Sequence, residues 1–164
     1  WSHTDGAADS PSLELPVRAG PIAAWAHVTQ LSPVDQQYFI IEIGPSDRSK
    51  FVGMQQFLNV ATWNITVQEN GDASFGVGAS IDGTGWAGLL HDPISGYVRA
   101  FWSNNAPGSN PGVPGSASWE VYGASKRVAV ADMNINPVVL FKHLNASGSG
   151  TTSCETRGLY AINI

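Results

Sequence analysis

The sequence predicts an all-β domain, an antiparallel β-sandwich or jelly-roll-like fold of about nine or ten short strands. Three observations lead to this fold class. Short apolar segments rich in β-branched and aromatic residues recur along the chain, and turn residues separate them at spacings of roughly 8 to 12 residues. One Asn-Gly pair lies between two segments that alternate apolar and polar residues. No long helical pattern alternates with the strands, which disfavours a parallel α/β sheet.

The predicted strands follow one another through most of the chain. They cover residues 22–30, 38–43, 61–68, 73–81, 86–91, 97–102, 119–122, 127–131, 138–144 and 158–164. Residues 51–60 are the one stretch for which the pattern allows a helix, because Phe51, Met54, Phe57 and Leu58 fall at helical spacing. No repeat of fixed period is visible, which argues against a propeller or a β-trefoil.

The hairpin at Asn70-Gly71 is the sharpest local prediction. Trp63, Ile65 and Val67 alternate with polar residues before the pair, and a second alternating segment follows it. Asn-Gly suits a two-residue type I′ turn because both of its central residues need positive φ. The two segments are therefore expected to pair directly as antiparallel neighbours.

The chain divides into two parts by composition. Residues 1–20 lack apolar periodicity and are predicted to form a flexible N-terminal arm or linker. Residues 21–164 are predicted to form a single β-sandwich domain, a length sufficient to bury a core. Because the chain begins at Trp1, a processed product or a domain excised from a larger chain is expected.

Composition limits the partners and points to a compartment. Only 13% of residues are charged, the net charge is −5, and Lys126-Arg127 is the one adjacent basic pair. These features exclude a phosphate-binding surface and so argue against nucleic acid as a partner. No apolar run approaches the roughly 18 residues that cross a bilayer, so membrane insertion is not expected. The neutral polar surface and the sequons at Asn64 and Asn145 favour an extracellular or virion-surface location.

The single cysteine excludes an internal disulfide framework. Cys154 is predicted to lie in a loop spanning residues 147–156, where an intermolecular disulfide could form. Together with unpaired strand edges, this allows self-association into a homo-oligomer.

Patterns that would support catalysis, a metal or a cofactor are each missing a required member. The four histidines form no H-x-H or H-E-x-x-H pair, which leaves a zinc site without support. Residues 132–136 begin like a calcium loop, but Pro137 stands where the turn glycine is needed, so an ordinary turn is expected. His91-Asp92-Pro93 is the one place where a base adjoins an acid, and it is predicted to be a turn. The sequence therefore predicts no catalytic residues, no metal and no cofactor.

Tryptophan is the residue type that stands out, with six in 164 residues. Trp25 and Trp63 fall on apolar strand faces and are predicted to be core residues. The candidate ligand-binding residues stand at strand ends or next to a long Gly- and Pro-rich loop over residues 103–118: Trp86, Trp102, Asn104, Asn105 and Trp119. Exposed aromatic rings stack on sugar faces, and side-chain amides offer both donor and acceptor to hydroxyl groups. For the same tryptophans, packing at the rims of the sheets is the alternative.

Two functional hypotheses follow, both non-enzymatic. The first is a surface-exposed recognition or assembly domain that projects outward from a larger assembly such as a viral capsid, as a spike or protruding domain. Its partner would be a cell-surface receptor or a glycan. The alternative is a free-standing secreted lectin or carbohydrate-binding module. A small secreted hydrolase is the third and least favoured hypothesis, because no catalytic constellation is visible.

Overall fold

The computed structural model describes residues 2–4, 12–32, 37–47, 50–57, 62–69, 72–80, 84–127, 136–145 and 151–164. Twelve β-strands account for most of these residues. In chain order they are β1 (Ser2–Thr4), β2 (Ser12–Pro16), β3 (Ile22–Ser32), β4 (Gln37–Pro45), β5 (Phe51–Phe57), β6 (Thr62–Glu69), β7 (Asp72–Ser80), β8 (Thr84–Asp92), β9 (Tyr97–Ser103), β10 (Glu120–Arg127), β11 (Pro137–Asn145) and β12 (Thr151–Asn163).

The strands form two six-stranded antiparallel sheets. The first sheet has the order β1-β12-β3-β8-β9-β10, and the second has the order β2-β11-β4-β5-β6-β7. Alternate residues of the central strands point towards the opposite sheet, and a buried apolar cluster fills the space between the sheets. The predicted all-β antiparallel sandwich is therefore confirmed.

The main core is built from alternating positions on both sheets. From β3 of the first sheet, Ile22, Ala24 and Ala26 face inward, and from β4 of the second sheet Phe39 and Ile41 face them. All of these side chains are fully buried. Burial of a large aliphatic or aromatic side chain stabilises the fold by about 1.5–3 kcal/mol, so these two central strands fix the spacing of the sheets.

The predicted hairpin is confirmed by its register. β6 and β7 pair antiparallel, and Glu69 lies opposite Asp72. This register leaves two residues for the connection, as an Asn-Gly turn requires. Residues 70 and 71, which carry the predicted turn type, lie outside the described residues, and so does the side chain of Trp63.

The N-terminal region differs from the prediction. Within residues 1–20, the strand Ser12–Pro16 pairs with β11 over five residues, from Pro16 opposite Val138 to Ser12 opposite Lys142. It is an edge strand of the second sheet, where a terminal proline and exposed polar residues are tolerated. The part of the predicted arm that the structure describes thus contributes two strands, and the division at residue 20 stays a prediction.

Two further local predictions are wrong. Residues 51–57 form a strand that pairs with β4 on one side and β6 on the other, so hydrogen bonding to two neighbours overrides the helical spacing. Cys154 was expected in a loop, but it lies on β12 opposite Gln30. The strand begins at Thr151, earlier than its apolar pattern suggests, because the polar residues at its start pair with both β1 and β3.

Candidate functional site on the first sheet

The outer face of the first sheet carries a second apolar cluster. Ala23, Trp25, Trp86, Phe101 and Trp119 are its buried members. On β3, the residues between the core positions, Ala23, Trp25 and His27, are thus also buried, so this strand is covered on both faces. What covers the outer face is the connection between β9 and β10, residues 104–119, which we call the covering loop.

The covering loop has its own internal hydrogen bonds. The Ser109 amide donates to the Ala106 carbonyl at 2.8 Å, and the Trp119 amide donates to the Ser116 carbonyl at 3.1 Å. The Ser116 hydroxyl donates to the Pro111 carbonyl at 3.0 Å. Gly112 supplies a positive φ of 81°, which favours glycine. This long loop is therefore a folded element with a defined backbone path.

Three indole N–H groups hold the covering loop: two come from the sheet and one comes from the loop itself. Trp25 Nε1 donates to Asn110 Oδ1 at 3.0 Å, and Trp86 Nε1 donates to the Ala106 carbonyl at 3.2 Å. Trp119 Nε1 donates to the Gly112 carbonyl at 3.2 Å. A buried indole that leaves its N–H unpaired is penalised by about 1–3 kcal/mol, so each bond favours the closed position of the loop.

Gly88 on β8 makes room for the covering loop. A Cβ at this position would lie 2.7 Å from Pro114 Cγ and 3.1 Å from Trp119 Cη2. Contacts this short do not occur in relaxed structures, so only glycine lets the proline and indole rings rest on the sheet at this point.

The structure corrects the role expected for two of the candidate tryptophans. Trp86 is 1% exposed and Trp119 is 8% exposed. Their rings lie between the sheet and the covering loop, where no ligand can stack on them. Trp86 anchors the loop from the sheet and Trp119 is the loop's own buried ring, in agreement with the rim-packing alternative, and Trp25 is buried in the same cluster.

The other three candidates, Trp102, Asn104 and Asn105, are neighbours in the chain at the end of β9. Trp102 is partly exposed and packs against the main core from the inner face of β9. Glu120 lies directly opposite it on β10 and is exposed. Directly opposed residues of an antiparallel pair point to the same side, with Cβ atoms about 4.5–5.5 Å apart. The carboxylate and the indole ring therefore share one surface.

Asn104 and Asn105 follow Trp102 at the start of the covering loop. Asn104 is exposed and Asn105 is partly exposed. The Asn105 amide donates to the Ser103 hydroxyl at 3.3 Å, which holds the backbone at this point. We call Trp102, Asn104, Asn105 and Glu120 the edge cluster. Sequence reasoning missed Glu120. Only the pairing of β9 with β10 shows that this residue lies opposite Trp102.

Tyr160 and Asn110 are two further residues that the sequence did not single out. The Tyr160 ring stacks on Trp25 with centroids 4.8 Å apart and an interplanar angle of 14°. Asn110 Oδ1 accepts hydrogen bonds from Trp25 Nε1 and from the Gly112 amide at 2.9 Å. The alternating apolar pattern of β12 could have indicated Tyr160, but no sequence signal indicated that Asn110 bonds to Trp25.

A buried histidine lies under the same face. His27 is fully buried and packs against the Trp86 ring at a T-shaped angle, with centroids 5.3 Å apart. Neither ring nitrogen has a hydrogen-bond partner among the described residues. Burial lowers the pKa of His27, and the Arg157 guanidinium lowers it further, while Glu155 opposes the shift. His27 is therefore held in the neutral form.

His91 and Asp92, the adjacent base and acid of the sequence, contact different partners in the structure. Burial also lowers the pKa of His91, although its Nδ1 lies 3.4 Å from the Gly20 carbonyl. Asp92 accepts hydrogen bonds from the Ser95 hydroxyl at 2.6 Å and the Ile94 amide at 2.9 Å, which lower its pKa. These bonds form the predicted turn. Glu42 is buried on the opposite sheet, in a shallow groove bordered by Phe51.

Within the ranges that the structure describes, no group of three or more His, Cys, Asp or Glu side chains could hold a metal ion. The calcium-like segment at residues 132–135 lies outside those ranges. No helix long and apolar enough to cross a membrane occurs in the described parts of the chain.

Comparison of the fold with solved structures finds β-sandwich lectins and carbohydrate-binding modules. A carbohydrate-binding module, CBM66 from Bacillus subtilis, matches with a TM-score of 0.56 and 5% identity, covering 93% of this chain and 83% of that one. A lectin, UEA-II complexed with galactose, matches with a TM-score of 0.54 and 8% identity, covering 98% and 86%. At these identities the likeness establishes the fold alone.

One enzyme shares the architecture as well. Scytalido-glutamic peptidase with a transition state analog inhibitor matches with a TM-score of 0.50 and 9% identity, covering 98% of this chain and 81% of that one. No protein-family model and no curated protein sequence matches this chain. The sandwich is therefore shared by binding proteins and an enzyme, and the side chains of this chain must distinguish between them.

Proposed function

We propose that this chain is a non-enzymatic glycan-binding domain of the lectin or carbohydrate-binding-module type, with its site at the edge cluster. The structural comparisons support this hypothesis better than they support the projecting capsid domain, because the matched proteins include lectins and carbohydrate-binding modules. The spike or protruding-domain role and the virion-surface location stay predictions.

The observation that carries the proposal is the chemistry of the edge cluster. Trp102 offers a partly exposed ring, and Glu120 lies opposite it in register. Carboxylate oxygens accept hydrogen bonds from hydroxyl groups, while the amides of Asn104 and Asn105 can donate and accept. A ring that contacts the apolar face of a sugar, flanked by polar groups that fix its orientation, is the usual composition of a small-ligand site.

The position of these side chains also favours recognition. Asn104 and Asn105 belong to a loop segment whose backbone is held at two points. The Trp86 indole donates to the Ala106 carbonyl, and the Ser103 hydroxyl accepts from the Asn105 amide. A site held in place before binding loses less conformational entropy when a ligand arrives. We therefore expect a sugar to bind without rearrangement of the covering loop.

A glycan array followed by calorimetric titration tests the proposal. The full chain is screened, and each glycan that binds is titrated against Asn104→Ala and Glu120→Gln. Both residues are exposed, so their substitution should leave the thermal midpoint unchanged within about 1–2 °C, since surface changes are usually within about 0.5 kcal/mol. Asn104→Ala removes a hydrogen-bonding group and Glu120→Gln removes the charge that strengthens one, so each should weaken binding by about 5- to 10-fold, corresponding to about 1–1.5 kcal/mol.

Ser109→Ala is the matched control, because Ser109 is exposed on the same loop but outside the edge cluster. Its amide bond to the Ala106 carbonyl is a backbone bond, which the substitution retains. Its affinity should equal that of the unmodified chain. The proposal is wrong if no glycan binds, or if Asn104→Ala and Glu120→Gln bind as well as the control. Hydrolysis of a glycan or peptide during the titration would favour an enzyme instead.

Self-association stays a prediction. Light scattering after size-exclusion chromatography tests it.

A further inference from the structure

We propose that His27 is an acid-sensitive latch for the covering loop, so that protonation of this one side chain releases the segment that carries Asn104 and Asn105. This inference rests on the proposed function only where it concerns glycan affinity. The latch itself is a property of the loop and can be measured without any ligand.

His27 lies in an environment that does not tolerate a charge. Its ring is fully buried on the outer face of the first sheet, and neither nitrogen finds a partner among the described residues. The desolvation penalty is modest for a neutral imidazole in this environment. It is large for an imidazolium, because a buried charge needs hydrogen bonds or a counter-charge. Protonated His27 must therefore reach water.

The charged groups around His27 do not offset its protonation. Arg157 lies directly opposite His27 on β12 and carries a like charge. Glu155 could attract an imidazolium, but it accepts a hydrogen bond from Arg157 Nε at 2.6 Å. On the other side, the outer face of β8 presents Thr84 and Trp86, and the covering loop contains no titratable side chain. Beyond β12, the neighbouring strand β1 carries His3, which lies opposite Thr152 and is separated from β3 by the whole of β12.

Trp86 links His27 to the covering loop. It packs edge-to-face against His27 and is itself 1% exposed. An aromatic ring attracts a cation, but this attraction is smaller than the desolvation penalty of a fully buried charge. When His27 turns towards water, the Trp86 ring loses its support, and its N–H leaves the Ala106 carbonyl.

The Trp86–Ala106 bond is the attachment nearest to the edge cluster, because Ala106 follows Asn105 directly in the chain. Trp25 attaches the loop to the sheet further along, at Asn110, and the Trp119 indole bonds to Gly112 within the loop. Release of the first attachment should loosen residues 104–106 while the later part of the loop stays on the sheet.

The indole N–H groups themselves report on the latch. Hydrogen exchange of the six tryptophan indoles is followed by ¹⁵N NMR from pH 7.5 to pH 5, and the Trp86 signal is assigned with Trp86→Phe. Because opening takes up one proton, protection of the Trp86 indole should fall about tenfold per pH unit below the ordinary histidine range, relative to the same signal in His27→Leu. Protection of Trp25 and Trp119 should change much less.

His27→Leu removes the titrating group and conserves volume, so its Trp86 indole should stay protected across the range. His91→Gln is the matched control, since His91 is buried in the same sheet but lies at the far end of β8 from Trp86, and it should keep the transition. If His27→Leu does not fold, His27→Gln replaces it. The protonation of His27 is also followed directly in the unmodified chain, by the NMR signals of its imidazole ring.

Two results would overturn the latch. One is a Trp86 indole whose protection changes with pH in parallel with Trp25 and Trp119. The other is a transition that persists in the His27 variant. Glycan affinity at pH 7.5 and pH 5 forms a separate arm. A working latch without any glycan binding would contradict the proposed function alone, whereas pH-independent indole exchange with glycan binding intact would contradict the latch alone.

Discussion

Gly88→Ala tests most directly whether the covering loop is seated on the first sheet. The added methyl group would meet Pro114 Cγ at 2.7 Å and Trp119 Cη2 at 3.1 Å. Pro114 is a ring on a loop backbone and cannot rotate away, so the loop must lift to relieve the contact. Overpacking of this kind destabilises by about 1–3 kcal/mol.

A smaller opposing effect comes from the strand itself. Alanine is favoured over glycine within a strand by about 0.5–1 kcal/mol, because glycine loses more conformational freedom on folding. The net expectation is a loss of up to about 2.5 kcal/mol, which lowers the thermal midpoint by up to about 10 °C for a domain of this size. Thermal and urea unfolding followed by far-ultraviolet circular dichroism measure both quantities.

Gly108→Ala is the control for this experiment. Gly108 lies on the same loop, and a Cβ there would meet nothing within 4 Å. Its substitution should leave stability unchanged or raise it by about 0.4–1 kcal/mol through the unfolded chain. A Gly88→Ala protein as stable as Gly108→Ala would mean that the loop does not rest on β8, which would refute the arrangement described for the outer face.

Three other predictions concern stability. His27 and His91 have lowered pKa values in the folded state, so their contribution to stability is complete above pH 6.5 and declines as the pH falls below that value. Urea unfolding should therefore show that the free energy of unfolding decreases by up to about 1.4 kcal/mol per histidine for each pH unit. Gly158→Ala places a Cβ 2.7 Å from Tyr160 Cε2 at a φ of +68°, and thermal unfolding should show a loss of at least about 1–2 kcal/mol. Asn163→Ala removes hydrogen bonds to both backbone groups of Arg18 at 2.8 Å; amide exchange should rise at residues 17–21, and an unchanged exchange rate there would contradict this tether.

Strand alternation made the sandwich predictable, because the hydrophobic effect sorts the two faces of each strand. The Asn70-Gly71 pair added a register, confirmed by the pairing of Glu69 with Asp72. The edge strand Ser12–Pro16 was missed because edge strands need little apolar pattern and tolerate proline. Residues 51–57 were misassigned because pairing on both sides outweighs the local spacing of Phe51, Met54 and Phe57.

The candidate ligand-binding residues stay a prediction. The position of the long loop follows from the sequence, and the structure adds that Glu120 lies opposite Trp102. The burial of Trp86 and Trp119 agrees with the rim-packing alternative, and one signal in the sequence favoured it. Residues 22–28 are apolar at nearly every position, and a strand of that kind is covered on both faces. Which segment covers it depends on contacts distant in sequence, such as Trp25 with Asn110.

We propose that the edge cluster binds a glycan while the covering loop stays in place. Titration of the ¹⁵N-labelled chain with an array-positive glycan tests this claim most directly. We predict shifts of the Trp102 indole and of the Asn104 and Asn105 side-chain amides, with the Trp25, Trp86 and Trp119 indole signals nearly unchanged. Shifts confined to the second sheet, or shifts of all three anchoring indoles together, would contradict it.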